Sequence, residues 1–160
     1  MAVDIFLKLE PIKGESMDAK HKKEIDILAW SWGMSQSGTT HQGPGGGSGK
    51  VSVNDISLTK HVDASSHDLI KHCCNGAHID EGTIIVRKAG KTPLEYIKIV
   101  MKEIIITSVS TGGHGSEDRL TENVTLNFAK FFYKYVSQTD KGGKGAEHDA
   151  NWDIAGNVEA

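Results

Sequence analysis

Residues 24–36, EIDILAWSWGMSQ, constrain the fold more than any other stretch of the chain. Side chains of one character recur there at every second position, the period of a β-strand, in which successive side chains point to opposite faces. One face reads Asp26, Leu28, Trp30, Trp32, Met34; the other reads Ile25, Ile27, Ala29, Ser31, Gly33, Ser35. Leu28, Trp30 and Trp32 are expected to fill a core, because aromatic side chains dominate core energetics. The opposite face shrinks to Ala29, Ser31 and Gly33, which admits close approach or keeps a surface smooth. The stretch reads as the hub strand of a β-rich domain.

The remaining patterns extend that reading. Residues 4–10 alternate and are stopped by Pro11. Residues 50–62 alternate with a change of parity at Asn54-Asp55, where a bulge or bend is expected. Residues 79–88 form a further strand. Residues 94–110, the longest apolar run, read as two strand halves around a bend at Lys102-Glu103, or as two strands with a tight turn. Residues 121–136 read as one last long strand, with Leu126 and Phe128 at core positions. After a polar stretch, 151–154 form a short closing strand, and the tail beyond is expected to fray. One segment breaks the β pattern. Ser65 or Ser66 can cap a helix whose face carries Leu69, Ile70, Cys73 and Cys74, and Gly76 stops it. A chain of 160 residues suits one domain, and 18 glycines favour turns over long helices. The residues give a β-barrel or sandwich with one helix.

Totals and motifs exclude several function classes. With a net charge of −3 and spread lysines, nothing points to nucleic acid. No apolar run reaches the length of a membrane span. The opening MAVDIFLKLE lacks the basic and apolar regions of a secretory signal. Cys73 and Cys74 are adjacent and make no disulfide framework, so synthesis in a reducing cytosol is expected. His72, Cys73, Cys74 and His78 cluster without metal-ligand spacing. Glu117 and Asp118 read as a solvated loop, and no Gly-x-Ser-x-Gly elbow is present. No catalytic residue, metal site or cofactor is expected.

Residues 37–49, SGTTHQGPGGGSG, cannot pack a core. A long structureless loop inside a compact domain is usually functional or a linker. A phosphate-cradling loop is excluded, because Pro44 stands at the first glycine position and Val51 where a hydroxyl is needed. The stretch reads as a mobile hairpin connection or as a projecting loop that touches another subunit.

MAVDIFLKL, IKGES with Asp18 and His21, EIDILAWSWGMSQSG, the glycine loop with GKV, VRKAG, PLEY, TSVSTGG, EDRLTENVTLNFAK and Trp152-Asp153-Ile154 together resemble the haemolysin-coregulated protein (Hcp) family. That family is the tube protein of the bacterial type VI secretion system. The resemblance spans residues 1–154, with 130–149 individual to this chain. It implies a mainly β fold, a pseudo-β-barrel of two antiparallel-rich sheets with one short α-helix, over 1–155, with 156–160 a flexible tail. It implies homohexameric rings that stack into a tube inside a contractile sheath, capped by a spike protein, with effector proteins in the lumen. It implies no cofactor, no enzymatic activity, no nucleic acid and no membrane insertion. Export by the machine itself needs no signal peptide, so the protein is expected to be cytoplasmic on synthesis and secreted afterwards.

On this resemblance Ala29, Ser31 and Gly33 become lumen and effector contacts. Thr39, Thr40, His41, Gln42, Gly43, Pro44, Gly45, Gly46 and Gly47 become the loop that bridges stacked rings. The residues alone leave a second class open: a monomeric β-sandwich ligand-binding module or hydrolase using Glu117, Asp118 and a nearby histidine.

Overall fold

A computed structural model describes residues 2–38, 41 and 49–160. Its elements are β1 (Val3–Lys8), β2 (Ile25–Asp26), β3 (Ala29–Ser31), β4 (Met34–Ser35), β5 (Ser52–Val53), β6 (Ile56–His61), α1 (Ser66–Asn75), β7 (His78–Lys88), β8 (Leu94–Thr111), β9 (Thr121–Asn127), β10 (Lys130–Gln138), β11 (Lys144–Asp153) and β12 (Val158–Glu159). Every recorded strand pairing is antiparallel.

One sheet path runs β12-β11-β10-β8-β7-β1-β2, and from β8 a branch runs through β9 and β6 to β3. β2 and β3 belong to the same stretch of chain, so the branch returns to its start. Ile27 N donates to Ile5 O at 3.0 Å, and the next residue, Leu28 N, donates to Thr59 O at 2.8 Å. The hub therefore leaves β1 and joins β6 between these residues, and the circuit β1-β7-β8-β9-β6-β3 encloses the core. The expected single hub strand is in fact three short strands, each paired with a different neighbour. A twisted, tilted wall gives a reason, since it prevents one strand from following both flanking strands along its whole length.

The handover also corrects the core assignment. Before it the odd residues Ile25 and Ile27 are buried; after it the even residues Trp30 and Trp32 pack against the core. Leu28 sits at the switch and is 49% exposed, and Met34 beyond it is also exposed. A one-residue change of parity sends a side chain to the other face. Leu126 and Phe128 are buried.

β8 is the spine. Residues 94–105 of β8 pair with β7, while on the other side β10 covers 97–102 and β9 covers 105–111. Glu103, at the interruption seen in the sequence, has φ 56°, and the register shifts again between Ile106 and Ser108. The stretch expected as one last strand divides at Phe128-Ala129. β9 belongs to the barrel and pairs with β6, whereas β10 leaves it and pairs with β11. Trp32 stands edge-on to Phe131 at 4.8 Å and to Phe128 at 6.0 Å, which fixes this corner. The polar stretch expected before a short closing strand is mostly strand itself, because β11 spans Lys144–Asp153. The expected flexible tail returns as β12, with Val158 opposite Asp153 and Glu159 opposite Trp152.

α1 follows the proposed bounds, with Gly76 at φ 66° closing it. Its packed face is narrower than expected: Leu69 is buried and Cys73 touches the core, while Ile70 and Cys74 are exposed. Ser65 makes no side-chain cap bond; its hydroxyl donates to Asp63 Oδ1 at 2.5 Å. Ser66 instead reaches inward, donating to Glu122 Oε1 at 2.6 Å. Glu122 and Lys60, opposite each other on β9 and β6, form an ion pair and are each 1% exposed. Lys60 Nζ also donates to His61 O at 2.9 Å and lies 3.0 Å from Asp63 Oδ1. This buried network ties the start of α1 to the barrel.

Candidate functional site

β3, β6, β9 and the second half of β8 lie side by side, and their register decides which side chains share a face. Trp30, Leu58, Val124 and Val109 stand in one row, packed in or against the core. The flanking rows have the opposite parity. Ala29 aligns with Thr59, Asn123 and Ser110; Ser31 aligns with Ser57, Thr125 and Ser108. The outward face of four strands is thus built from small hydroxyl and amide side chains.

These groups hold one another. Thr59 Oγ1 donates to Asn123 Oδ1 at 2.8 Å, and the Ser108 and Thr125 hydroxyls are 2.6 Å apart. Thr107, the extra residue of the β8 bulge, donates to Asp55 Oδ2 at 2.7 Å, and Asn127 Nδ2 donates to Asp55 Oδ1 at 2.9 Å. Such cross-strand pairs contribute roughly 0.2–1 kcal/mol each. Asp55 is the one formal charge among the side chains named. The surface is polar, wettable and nearly neutral.

Ala29 and Ser31 lie exposed on this face, and Gly33 is half-buried just beyond it. A Cβ at Gly33 would meet only Asn54 Nδ2, at an ordinary 3.5 Å. Of the proposed stacking loop, His41 is exposed, and Thr39, Thr40, Gln42, Gly43, Pro44, Gly45, Gly46 and Gly47 lie outside the described residues. Sequence reading missed Ser57, Thr59, Asn123, Thr125, Ser108 and Ser110. Their signal was the non-core parity of three strands, all Ser, Thr or Asn, which was read only for its apolar partners.

The four-strand face ends in two open edges among the described residues. β1 pairs with the hub only at Ile25 and Asp26, so β3 keeps β6 as its single strand partner. On the far side, β7 ends its pairing at Ile105, and 106–111 of β8 pair only with β9.

The β1–β7 side is closed differently. Phe6 and Ile85 point away from the core cluster yet are buried. Phe6 stacks on His21 of residues 13–24, a strap, with ring centres 4.4 Å apart. His21 Nδ1 lies 3.0 Å from Glu24 Oε2 and its Nε2 lies 2.8 Å from Glu95 Oε1. Arg87 donates to both carboxylate oxygens of Asp18, at 2.6 and 3.1 Å, and to Asp4 at 3.0 Å. The Arg87 hydrogen bonds, followed by the Lys20 N–H, hold the Asp18 carboxyl down to about 2. Asp26, beside the strap, is pushed up by burial and by the charges of Asp63 and Asp4.

The catalytic alternative rests on residues 112–120, all of them exposed. Glu117 Oε1 lies 3.0 Å from His114 Nε2, and Ser116 Oγ lies 2.7 Å from His114 Nδ1. These are neighbours along one open loop, without the desolvated setting that gives such groups catalytic leverage. Among the described residues, no group of three or more His, Cys, Asp or Glu is arranged to hold a metal ion, and no helix is long and apolar enough to cross a membrane.

Known proteins share this architecture. Residues 6–135 match the family described as "Type VI secretion system effector, Hcp". The chain is 52% identical to the protein named Hcp1 of Pseudomonas aeruginosa, with all of both chains covered. It superposes on Hcp1 from Salmonella typhimurium with a TM-score of 0.83 at 40% identity, covering 100% of both chains. A solved type six secretion system protein gives a TM-score of 0.93 at 25% identity, covering 99% of this chain and 100% of that one. The chain belongs to the Hcp family, the tube proteins of the bacterial type VI secretion system.

Proposed function

We propose that this chain is a structural subunit that forms homohexameric rings, and that the hydroxyl-lined face of β3, β6, β9 and β8 is the wall of the ring's lumen. The observation that carries this is the pair of open edges on that face. A long unpaired edge invites pairing. β3 and the second half of β8 run in opposite directions, since each step β3-β6-β9-β8 is antiparallel. The β8 edge of one subunit laid beside the β3 edge of the next continues the same alternation. This is a heterologous contact, which closes into a ring when the rotation between subunits permits. The hydroxyl face then becomes a continuous wall, and the strap side turns away from it.

The rest of the role follows as part of the same proposal. Rings stack through residues 39–47, the tube is enclosed by the contractile sheath and tipped by the spike protein, and effector proteins ride in the lumen. No enzymatic step is required, and export is through the machine. A nearly neutral wall suits varied cargo, because it offers hydrogen bonds without selecting one sign of charge.

Negative-stain microscopy with light scattering tests the ring. Six-fold particles are expected, and a compact monomer at all concentrations overturns the proposal. Ser31→Gln adds a long side chain on the exposed face and is expected to leave rings intact while reducing cargo co-purification and secretion. Deletion of residues 40–47 is expected to spare rings and impair their stacking; monomers after deletion would assign that loop to the wrong interface.

A further inference from the structure

The strap carries a feature that the tube reading does not use. Lys8, Lys13, Lys20, Lys22 and Lys23 surround one concavity of about 280 Å³, floored by the buried Ile12. They come from the end of β1, the turn after it and the strap, so the fold gathers them. The two carboxylates on the rim are already engaged: Glu10 pairs with Lys13, and Glu24 faces His21. Among the described residues, Lys8, Lys20, Lys22 and Lys23 make no ion pair. Five lysines against two carboxylates therefore leave an excess of positive charge in one recess of a chain of net charge −3. Like charges so placed repel, and an arriving anion relieves each of them.

The recess is also held in shape. Gly14 N donates to Lys23 O at 2.8 Å and Ser16 N donates to Glu24 O at 3.0 Å, which pins the strap against its own return. Lys23 has φ 63°, a left-handed conformation that a lysine keeps only where its surroundings impose it. The Asp18–Arg87 and His21 contacts fasten the middle of the strap to the barrel. Lysines on a fixed backbone lose less freedom on binding than lysines on a mobile loop.

A second feature lies on the same strap. Met17, beside Asp18, is 92% exposed, the most exposed of the large apolar side chains among the described residues. Ala19, two residues further along the strap, lines the recess, and a flexible, polarisable methionine in open solvent is suited to an apolar partner residue.

We infer that the strap is a docking surface for an acidic protein segment, whose carboxylates enter the lysine recess and whose apolar side chain covers Met17. The features do not favour nucleic acid, because no aromatic side chain lines the recess to stack a base. One exposed methionine is too little apolar surface to hold a membrane. The inference does not depend on the lumen assignment, since the strap covers the opposite side of the barrel.

The test uses the full chain in its native assembly and two fluorescein-labelled peptides, an oligoglutamate and the same peptide with one central leucine, read by anisotropy at low and high salt. Binding of both is expected at low salt, the leucine peptide more tightly, with loss toward high salt as exposed charges are screened. The triple variant Lys20→Glu/Lys22→Glu/Lys23→Glu is expected to weaken both by about tenfold or more. The control triple Lys91→Glu/Lys98→Glu/Lys141→Glu changes net charge equally and is expected to shift binding less than about twofold. Met17→Ser is expected to remove the advantage of the leucine peptide alone. Equal weakening by both triples would show only a diffuse field and overturn the site. So would no binding of either peptide, or tighter binding of a single-stranded oligonucleotide or of anionic phosphatidylserine vesicles.

Discussion

On the β3–β6–β9–β8 face the outward side chains hold one another through hydroxyl and amide bonds and remain open to solvent. On the β1–β7 side the outward side chains Phe6 and Ile85 are apolar and buried, and the strap covers Phe6 with His21, held by the Asp18–Arg87 ion pair and the His21 contacts with Glu24 and Glu95. Both faces obey the same two-residue period, and their inward sides are alike in Ile, Leu and Val. The difference teaches that the core parity of a strand says how the chain folds, while the other parity says what each wall is for. A face of small polar groups is complete as it stands and is free to become a surface. A face of Phe and Ile is a seat for another piece of chain.

The largest effect is expected where the open face meets the core. Glu122 lies in β9 between the outward Thr121 and Asn123, paired with Lys60 and accepting from Ser66. Glu122→Ala leaves Lys60 charged and buried, with Asp63 as its remaining carboxylate. A loss of about 3–5 kcal/mol is expected in chemical denaturation, the range for breaking a buried pair from one side. The double change Lys60→Met/Glu122→Leu is expected to recover most of it, because replacing both partners removes the uncompensated charge. If Glu122→Ala costs no more than Asn123→Ala, the inward and outward positions of β9 are not distinct, and the comparison of parities fails.

How much of this was legible follows from the same distinction. The alternation of residues 24–36 gave the right element type and the right importance, since the hub does close the barrel. It misplaced Leu28 because a periodic pattern carries no mark of where a strand changes neighbours. The handover between Ile27 and Leu28 is set by the distant partners Ile5 and Thr59. Lys102-Glu103 was readable as an interruption, and Glu103 does adopt a positive φ there. The split at Phe128-Ala129 was not readable, because β9 and β10 are both strands and differ only in whether β6 or β11 lies beside them. Of the candidate face, Ala29, Ser31 and Gly33 stood out as small residues beside tryptophans. Ser57, Asn123 and Ser108 come from three separate segments, and only the register assembles them into one surface. The strap carries no strand or helix period, and its cover of Phe6 rests on His21 and Arg87, which are far apart in sequence.

Two glycines sharpen the comparison at intermediate size. A Cβ at Gly14 in the strap would lie 2.5 Å from Glu24 O and 2.7 Å from Ile25 Cα, both backbone atoms that cannot swing aside. Gly33, beside the open face, offers ordinary contact distance to a single side chain. Gly14→Ala is expected to cost about 1–3 kcal/mol, the range for forced overpacking, and to raise amide exchange in residues 14–24. Gly33→Ala is expected to stay within about 0.5 kcal/mol. Equal costs in thermal denaturation would mean that the strap does not seat as closely as its backbone contacts require.

The smallest effect separates the two faces by pH. Asp18 is held down to about 2 from an ordinary value of 3.8, first by the Arg87 hydrogen bonds. A carboxylate with a depressed folded-state value stabilises the fold above its unfolded value, and that contribution is lost as pH falls through the folded one. The strap clasp is therefore complete above about pH 4 and released between about pH 4 and 2. On the open face, Asp55 accepts hydrogen bonds from the neutral donors Thr107 and Asn127. Backbone NMR shifts of residues 14–24 are expected to show a step as pH falls through about 2, with no matching step in 57–59 and 123–125. Asp18→Asn is expected to give strap shifts at neutral pH that resemble the acid form and no longer titrate there. Simultaneous movement of both faces would mean that acid acts on the whole barrel, and that the strap is not a separately clasped element.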